Sequence, residues 1–527
     1  MKKIPSFLVA CILLCSEVLP VWEFLDLEIP VASAAACTIS ANTDVTAAYV
    51  ATCDGITIDT SCTLTFFGDS LDMNGSSTAF TVNEGVTVTW SGTGTFTDAT
   101  ESIVINGTLT HADSGSGVIL SVSGNVTVAG GGSVNANARG CLAGPSNQDG
   151  YGPDTTTGIC AQTTGGYGQS GQNGAGHGGE GGRGNGSNNP GDAYDSSLVP
   201  TLIGSGGGGG NGGAGADGGG KVWLDVSGTL TINGTVSADG DDAPDGGSEG
   251  GGGGSGGSVY ITTTTLAGTG SVSAGGGDGG DGTAGGGDGG GGGGGRIAVY
   301  YDVLSGFTLG NITATKGLEG GTSGDATSGN NGTTFILDRT ADDLRITSGL
   351  DFRSDGDYVR ADIVVDSGSY LTCNAMTTLD IGASGNYTDN GSTWACSGTV
   401  TTLNLSATGT IATTGIDWDI SDTTNINFSA GTWTTSGTNT IDVTKTGVIT
   451  DWTLSNDLTL NNLTWTGPDT AGTSSANGGM ILLDDAISVD LVNTDISSGV
   501  SWTNLTGLNI DYSSSINANA RGCLAGP

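Results

Sequence analysis

Between Gly204 and Gly295 the chain alternates short apolar segments with runs of almost pure glycine: 12 of the 17 residues from Gly204 to Gly220, and 16 of the 21 from Gly275 to Gly295. Glycine has the most backbone freedom to lose and no side chain to bury, so a long run of it is normally a flexible linker. These runs recur at fixed places, which a linker does not need. The segments between them read KVWLDVSGTLTINGTVSADGDD from Lys221, SVYITTTTLAGTGSVSAGGGDG from Ser258 and RIAVYYDVLSGFTLGNITATKG from Arg296, and they start 37 and 38 residues apart. Each is two strands followed by a glycine excursion. A fixed period of this size predicts a solenoid of stacked supersecondary units.

Composition supports that reading over several globular domains. Of 527 residues 101 are Gly, charged residues make up 13%, and no stretch after the N-terminus has the 3.6 periodicity of a long amphipathic helix. The expected fold class is all-β, a parallel β-helix (β-solenoid) with Gly-rich excursions. Val134-Asn135-Ala136, Val236-Ser237-Ala238 and Val272-Ser273-Ala274 each precede an excursion, so the excursions should leave from one corner of each unit. Within the first and longest, about Arg139 to Gly220, Gly recurs every third residue, as at Gly165, Gly168, Gly171 and Gly174. Period three is that of an extended left-handed helix without internal hydrogen bonds. Collagen is excluded by the scarcity of Pro and by shifts of register. Two readings stay open: a polyglycine-helix bundle packed along one side of the solenoid, or disordered glycine loops fringing it.

In chain order, residues 1–36 read as an export signal: Lys2 and Lys3, an apolar run from Phe7 to Cys15, and small residues from Val31 to Ala36. This predicts a secreted or cell-surface protein. Residues 37–117 carry short alternating β-runs such as FTVNEGVTVTWSG, residues 118–335 form the Gly-rich two-strand module, and residues 336–514 alternate apolar residues with Ser, Thr and Asn. Ser515 to Pro527, SINANARGCLAGP, repeats Ser133 to Pro145, SVNANARGCLAGP, at 12 of 13 positions. It reads as the start of a second Gly-rich module, truncated here. No later apolar run is long enough for a membrane span. The formal net charge of −40 repels nucleic acid and attracts cations, and it keeps a Gly-rich surface soluble. In an exported chain, cysteines are disulfide candidates before they are metal ligands. The expected local pairs are Cys141–Cys160 and Cys373–Cys396, with one of Cys37, Cys53 and Cys62 left over.

Catalytic chemistry finds little purchase. Asn42-Thr43-Asp44, Gly176-His177-Gly178 and Asp241-Asp242 are fragments of polygalacturonase motifs in the wrong order and spacing, and Arg296-Ile297-Ala298 stands where that family has Arg-Ile-Lys. His occurs only at His111 and His177, which limits any Ser-His-Asp arrangement to those two. Gly-x-Ser-x-Gly is matched at Ser248 and Ser255, inside glycine runs with no strand-to-helix turn. No catalytic residue is assigned. Calcium fits better: Gly276 to Ala284 matches G-G-x-G-x-D-x-U-x except at Thr283. Asp278 and Asp281 there, with Asp241 and Asp242 one unit earlier, supply hard oxygen ligands suited to Ca²⁺. The Trp residues from Trp394 onward are expected in the core, since Trp418 alternates with Ile416 and Ile420.

GGGGSGGSVYI and GGGGGRIAVYY, at residues 251–261 and 291–301, resemble the Gly-rich β-helical surface and adhesin-like proteins of bacteria. The resemblance covers about Val118 to Asp351. It implies a secreted or cell-surface structural rod, used without catalysis for contacts with extracellular surfaces, polysaccharide or other matrix proteins. The alternative is a secreted polysaccharide-active β-helix protein, a lyase, hydrolase or carbohydrate-binding module. Convergent carboxylates and exposed aromatics in a groove would favour the alternative.

Overall fold

The computed structural model describes residues 37–46, 55–66, 70–71, 80–96, 102–162, 166–169, 172–185, 189–283, 286–321, 326–352, 358–373, 378–384 and 386–395, and strands between 402 and 516. The export-signal reading, Cys53, the Cys373–Cys396 pair and all but the first two residues of the Ser515 repeat lie outside these residues or their described side chains. Among the described residues the chain is all-β, with one 3₁₀ turn at Leu309–Asn311 and no α-helix. Among the described residues no helix is long and apolar enough to cross a membrane.

The strands form because apolar residues alternate at period two, so every second side chain points inward. Leu120, Leu224, Ile261, Val299 and Ile336 stand opposite one another on successive parallel strands, each at most 1% exposed. These positions belong to Val118–Val122, Lys221–Ile232, Ser258–Ala267, Arg296–Ser305 and Thr333–Asp338. A second parallel ladder runs through Thr87–Ser91, Thr108–His111, Ser133–Asn135, Thr235–Ser237, Ser271–Ser273 and Ile312–Thr313. Its inward file is Val88, Leu109, Val134, Val236, Val272 and Ile312. The two inward files share one apolar core that extends from Ile39 to Ile336. A one-residue slip would turn every one of these side chains to the other face, so the pattern fixes the register. We call the strands at one level a tier.

Parallel pairing is interrupted by an antiparallel turn in which Ile336, Leu337 and Asp338 oppose Arg345, Leu344 and Asp343. Beyond it parallel ladders resume, for example Gly349–Phe352 with Tyr370–Cys373, and Asn425 to Ala430 with Ile449 to Leu454. The inversion lies next to the composition change at residue 335. Trp394 and Trp418, paired in register, are 1% and 0% exposed; both are core residues, as the alternation predicts.

The glycine runs are ordered and buried. Every residue from Gly250 to Ser258 and from Gly287 to Gly295 is buried, and buried backbone amides require partners. Gly250, Gly253 and Gly256 donate their N–H to the carbonyls of Gly287, Gly290 and Gly293. Gly252 and Ser255 donate to Gly208 and Ser205, and Gly254 and Gly257 to Asp241 and Ala238. One row therefore bonds to three neighbours, with a period of three residues. The row from Gly289 repeats the scheme: Gly289, Gly292 and Gly295 donate to Gly280, Gly277 and Ala274; Gly290 and Gly293 to Gln172 and Ala175; Gly291 and Gly294 to Thr327 and Asn330. The rows pack backbone on backbone. A Cβ on Gly252 would lie 1.9 Å from the Asn173 carbonyl oxygen, and one on Gly251 1.8 Å from that of Ala214, so no other residue fits there.

Candidate functional site

A group of buried polar side chains gathers where the first excursion crosses the glycine rows and the strand starts. The strand positions Lys221, Ser258, Arg296 and Thr333 are in register, and they meet the returning segment from Asp192 to Ile203. Arg296, fully buried, donates through Nε to the Tyr194 carbonyl at 2.6 Å, through an Nη to Thr333 Oγ1 at 3.3 Å, and through the other to Asp351 Oδ2 at 3.4 Å. The Tyr194 hydroxyl donates to the Ile203 carbonyl at 2.6 Å and accepts from Ser205 Oγ at 2.9 Å. Its ring lies against His177, with centroids 4.5 Å apart.

His177 is enclosed as well. Its Nδ1 is 2.8 Å from the Gly256 carbonyl and its Nε2 is 3.6 Å from Asp195 Oδ2, an ion-pair distance rather than a hydrogen bond. Asp195 accepts the amides of Thr201 at 2.8 Å and Leu202 at 2.9 Å. Burial alone would raise its pKa, but His177 and the amides of Leu202 and Ser196 outweigh it and hold the carboxyl down at about 2. Burial pushes the Tyr194 phenol far up, against its bond to Ser205.

This geometry does not build a nucleophile. Both ring nitrogens of His177 face oxygens, so neither is turned to take a proton from a hydroxyl. Ser255, a Gly-x-Ser-x-Gly match, is buried and donates to the Ser205 carbonyl at 3.3 Å while accepting the Ser205 amide at 2.8 Å. Ser248, the other match, donates to the Asn211 carbonyl at 2.7 Å. His111 sits on a different strand. Its Nδ1 is 2.8 Å from the Ala112 carbonyl and its Nε2 accepts the Lys221 amide at 3.2 Å, so it carries its proton on Nδ1. Burial brings its pKa down to about 4 against the pull of the Ala112 carbonyl.

The aspartates expected to bind Ca²⁺ line one margin of the glycine rows. Asp242 Oδ1 accepts the Asp278 amide at 2.8 Å, Asp278 Oδ1 accepts the Leu318 amide at 2.7 Å, and Asp245 Oδ1 accepts the Asp281 amide at 3.0 Å. Asp239 bridges the same step inward, accepting the Gly275 amide at 2.6 Å and the Ser273 hydroxyl at 2.9 Å. Each carboxylate therefore caps a backbone amide one tier further on. Asp241 contributes through its backbone: its N–H donates to Asp217 and its carbonyl accepts from Gly254. Asp281 lies beside Asp288, and burial first, then that carboxylate, raise its pKa. Among the described residues no three His, Cys, Asp or Glu side chains are arranged to hold a metal ion.

Cys141 and Cys160 are joined, with Cα atoms 5.5 Å apart, as their spacing predicts. The bond staples the antiparallel pair Tyr151–Pro153 and Cys160–Gln162 at the start of the first excursion. Cys37 is disulfide-bonded and Cys62 is a free, buried thiol.

Sequence reasoning missed Arg296, Asp351, Tyr194 and Asp195 as one group. The available signal was an arginine opening a strand otherwise apolar at alternate positions, in a chain with few basic residues. Comparison with protein-family models, curated proteins and solved structures found no match to this chain.

Proposed function

We propose that the paired ladders form a parallel β-helix, that the glycine rows form a bundle of polyglycine helices of the polyproline II type along one side, and that the whole is a secreted or cell-surface structural rod without catalysis. Support for the bundle is the period-three bonding of each row to three neighbours. The observation that carries the functional reading is the enclosure of the reactive side chains. His177, Ser205, Ser255 and Arg296 are each 0% exposed, and their polar atoms face backbone carbonyls, amides or neighbouring side chains, so this group holds the fold and offers no surface to a substrate. The outward Thr, Ser and Asn files beside them suit many weak polar contacts with a matrix or polysaccharide surface. The resemblance to Gly-rich adhesin-like proteins agrees with this.

Adsorption of the purified chain to polysaccharide and matrix-protein films, measured with and without Ca²⁺, tests the reading alongside reducing-sugar release. Adsorption without sugar release, unchanged in Ser255→Ala, is expected. Polysaccharide turnover that disappears in Ser255→Ala or in a folded His177→Gln variant would overturn it.

A further inference from the structure

The first excursion does not stay with its own tier. Its residues 172–182 run between glycine rows that come later in the chain. Ala175 donates to Gly253 and Gly182 to Gly291; Gly178 and Gly179 both donate to Gly294; Gln172 and Ala175 accept from Gly290 and Gly293. Arg183 accepts from the Thr327 amide and donates to its hydroxyl at 2.8 Å, across 144 residues. Further on, the same excursion lies over later strand starts. Tyr194 takes Arg296, Leu198 accepts the Tyr300 hydroxyl at 2.8 Å, Leu202 accepts the Ser258 hydroxyl at 2.5 Å, and Ser197 donates to the Asp351 carbonyl at 3.2 Å across 154 residues.

Two physical points follow. A glycine row has no side chains to bury, so its order rests on backbone bonds to neighbours on all three sides. For the row at Gly287, residues 172–182 are one of those sides, and the row at Gly250 accepts the Ala175 amide at Gly253. A stack in which each unit touches only its neighbours folds as a sum of local steps. Here one segment crosses several units, and its partners are complete only once the chain as far as Asp351 is present.

We propose that the described part of residues 166–203 is a late-closing strap. Tiers can pair strand by strand as the chain is made, but the strap docks only after the chain through Asp351 has folded. Its docking converts the glycine rows from separate loops into one cooperative block. Arg296 is the catch, because it joins the strap at Tyr194 to the last anchoring strand at Asp351.

Hydrogen exchange on the full-length, disulfide-intact chain tests this, during refolding by pulse labelling and in the native state. In refolding, the amides of 172–182 and of Gly287–Gly295 should gain protection in one shared phase, after those of Val118–Val122. In the native state, Asp351→Asn should accelerate exchange in both segments together, by tenfold or more, and leave Thr108–His111 unchanged. Tyr300→Phe, which removes one anchor at Leu198 and little else, should accelerate both by a smaller common factor. If Asp351→Asn does not fold, the Tyr300→Phe result and the wild-type refolding order still decide. Glycine rows that keep wild-type rates while 172–182 exchanges faster, rows protected before the strap, or no change in either variant would each overturn the proposal.

Discussion

The N-terminal tiers and the Gly-rich tiers use the same ladder with different lengths of chain. In the first, Ile56, Phe80 and Ile103 occupy one file at steps of 24 and 23 residues. In the second, Lys221, Ser258, Arg296 and Thr333 occupy one file at steps of 37, 38 and 37. The inward file is aliphatic or aromatic in both, and the parallel pairing is the same. The extra residues of each longer step are the glycine row. The strands of both regions are therefore held by side-chain burial, whereas the rows are held by backbone hydrogen bonds and close approach. Substitutions should separate the two modes.

The largest difference is expected on adding a methyl group. Gly252→Ala places a Cβ against the Asn173 carbonyl and should lower stability by roughly 3–5 kcal/mol, at the severe end for point changes. Thr81→Ala, on the outward face of Phe80–Val82, should stay within about 0.5 kcal/mol. Denaturant unfolding of the two variants checks this; equal effects would erase the distinction.

Next comes the buried pair. Arg296→Met leaves Asp351 without its guanidinium and should cost about 3–5 kcal/mol, whereas Arg296→Met with Asp351→Leu should recover much of that loss. A double variant no better than the single would mean that the Tyr194 and Thr333 contacts, not the charge, carry the effect. Opening the Cys141–Cys160 staple by Cys160→Ser should cost roughly 3 kcal/mol for a loop of this length. Cys62→Ala, in the N-terminal tiers, should cost less, about 1 kcal/mol, because it removes only a small buried group.

A pH-dependent effect joins the two regions. His111 is neutral when folded, with its pKa lowered to about 4 from 6.5, so the unfolded chain binds its proton first as pH falls. Its contribution is complete above about pH 6.5 and is lost between there and about pH 4, amounting to at most about 3 kcal/mol. His111→Gln should flatten that part of the stability profile. A wild-type slope unchanged in the variant would show that His111 is not its source.

Much of the ladder was legible. Alternation around Val86, Val88 and Trp90, the repeated V-x-A corners and the 37-residue step all depend on local pattern, which period-two geometry converts directly into register. The Cys141–Cys160 bond was legible because it closes a short loop. The buried group was not. Arg296, Tyr194 and Asp351 lie up to 157 residues apart, and nothing local marks an arginine for burial; its partners arrive through the path of the first excursion. The hydrogen bonds of the aspartates were not legible for a related reason. Gly-Asp repetition matches a calcium pattern, but where glycine rows leave amides at a margin, the same carboxylates serve as caps on the next tier.

The central claim is that the glycine rows are ordered structure and not linkers. Native-state hydrogen exchange of Gly250–Gly257 and Gly287–Gly295, read against the strand amides of Val259–Ile261, tests it most directly. Protection in the rows within about tenfold of the strands is expected, since both are buried and bonded. Exchange of the rows at random-coil rates, with the strands still protected, would contradict it.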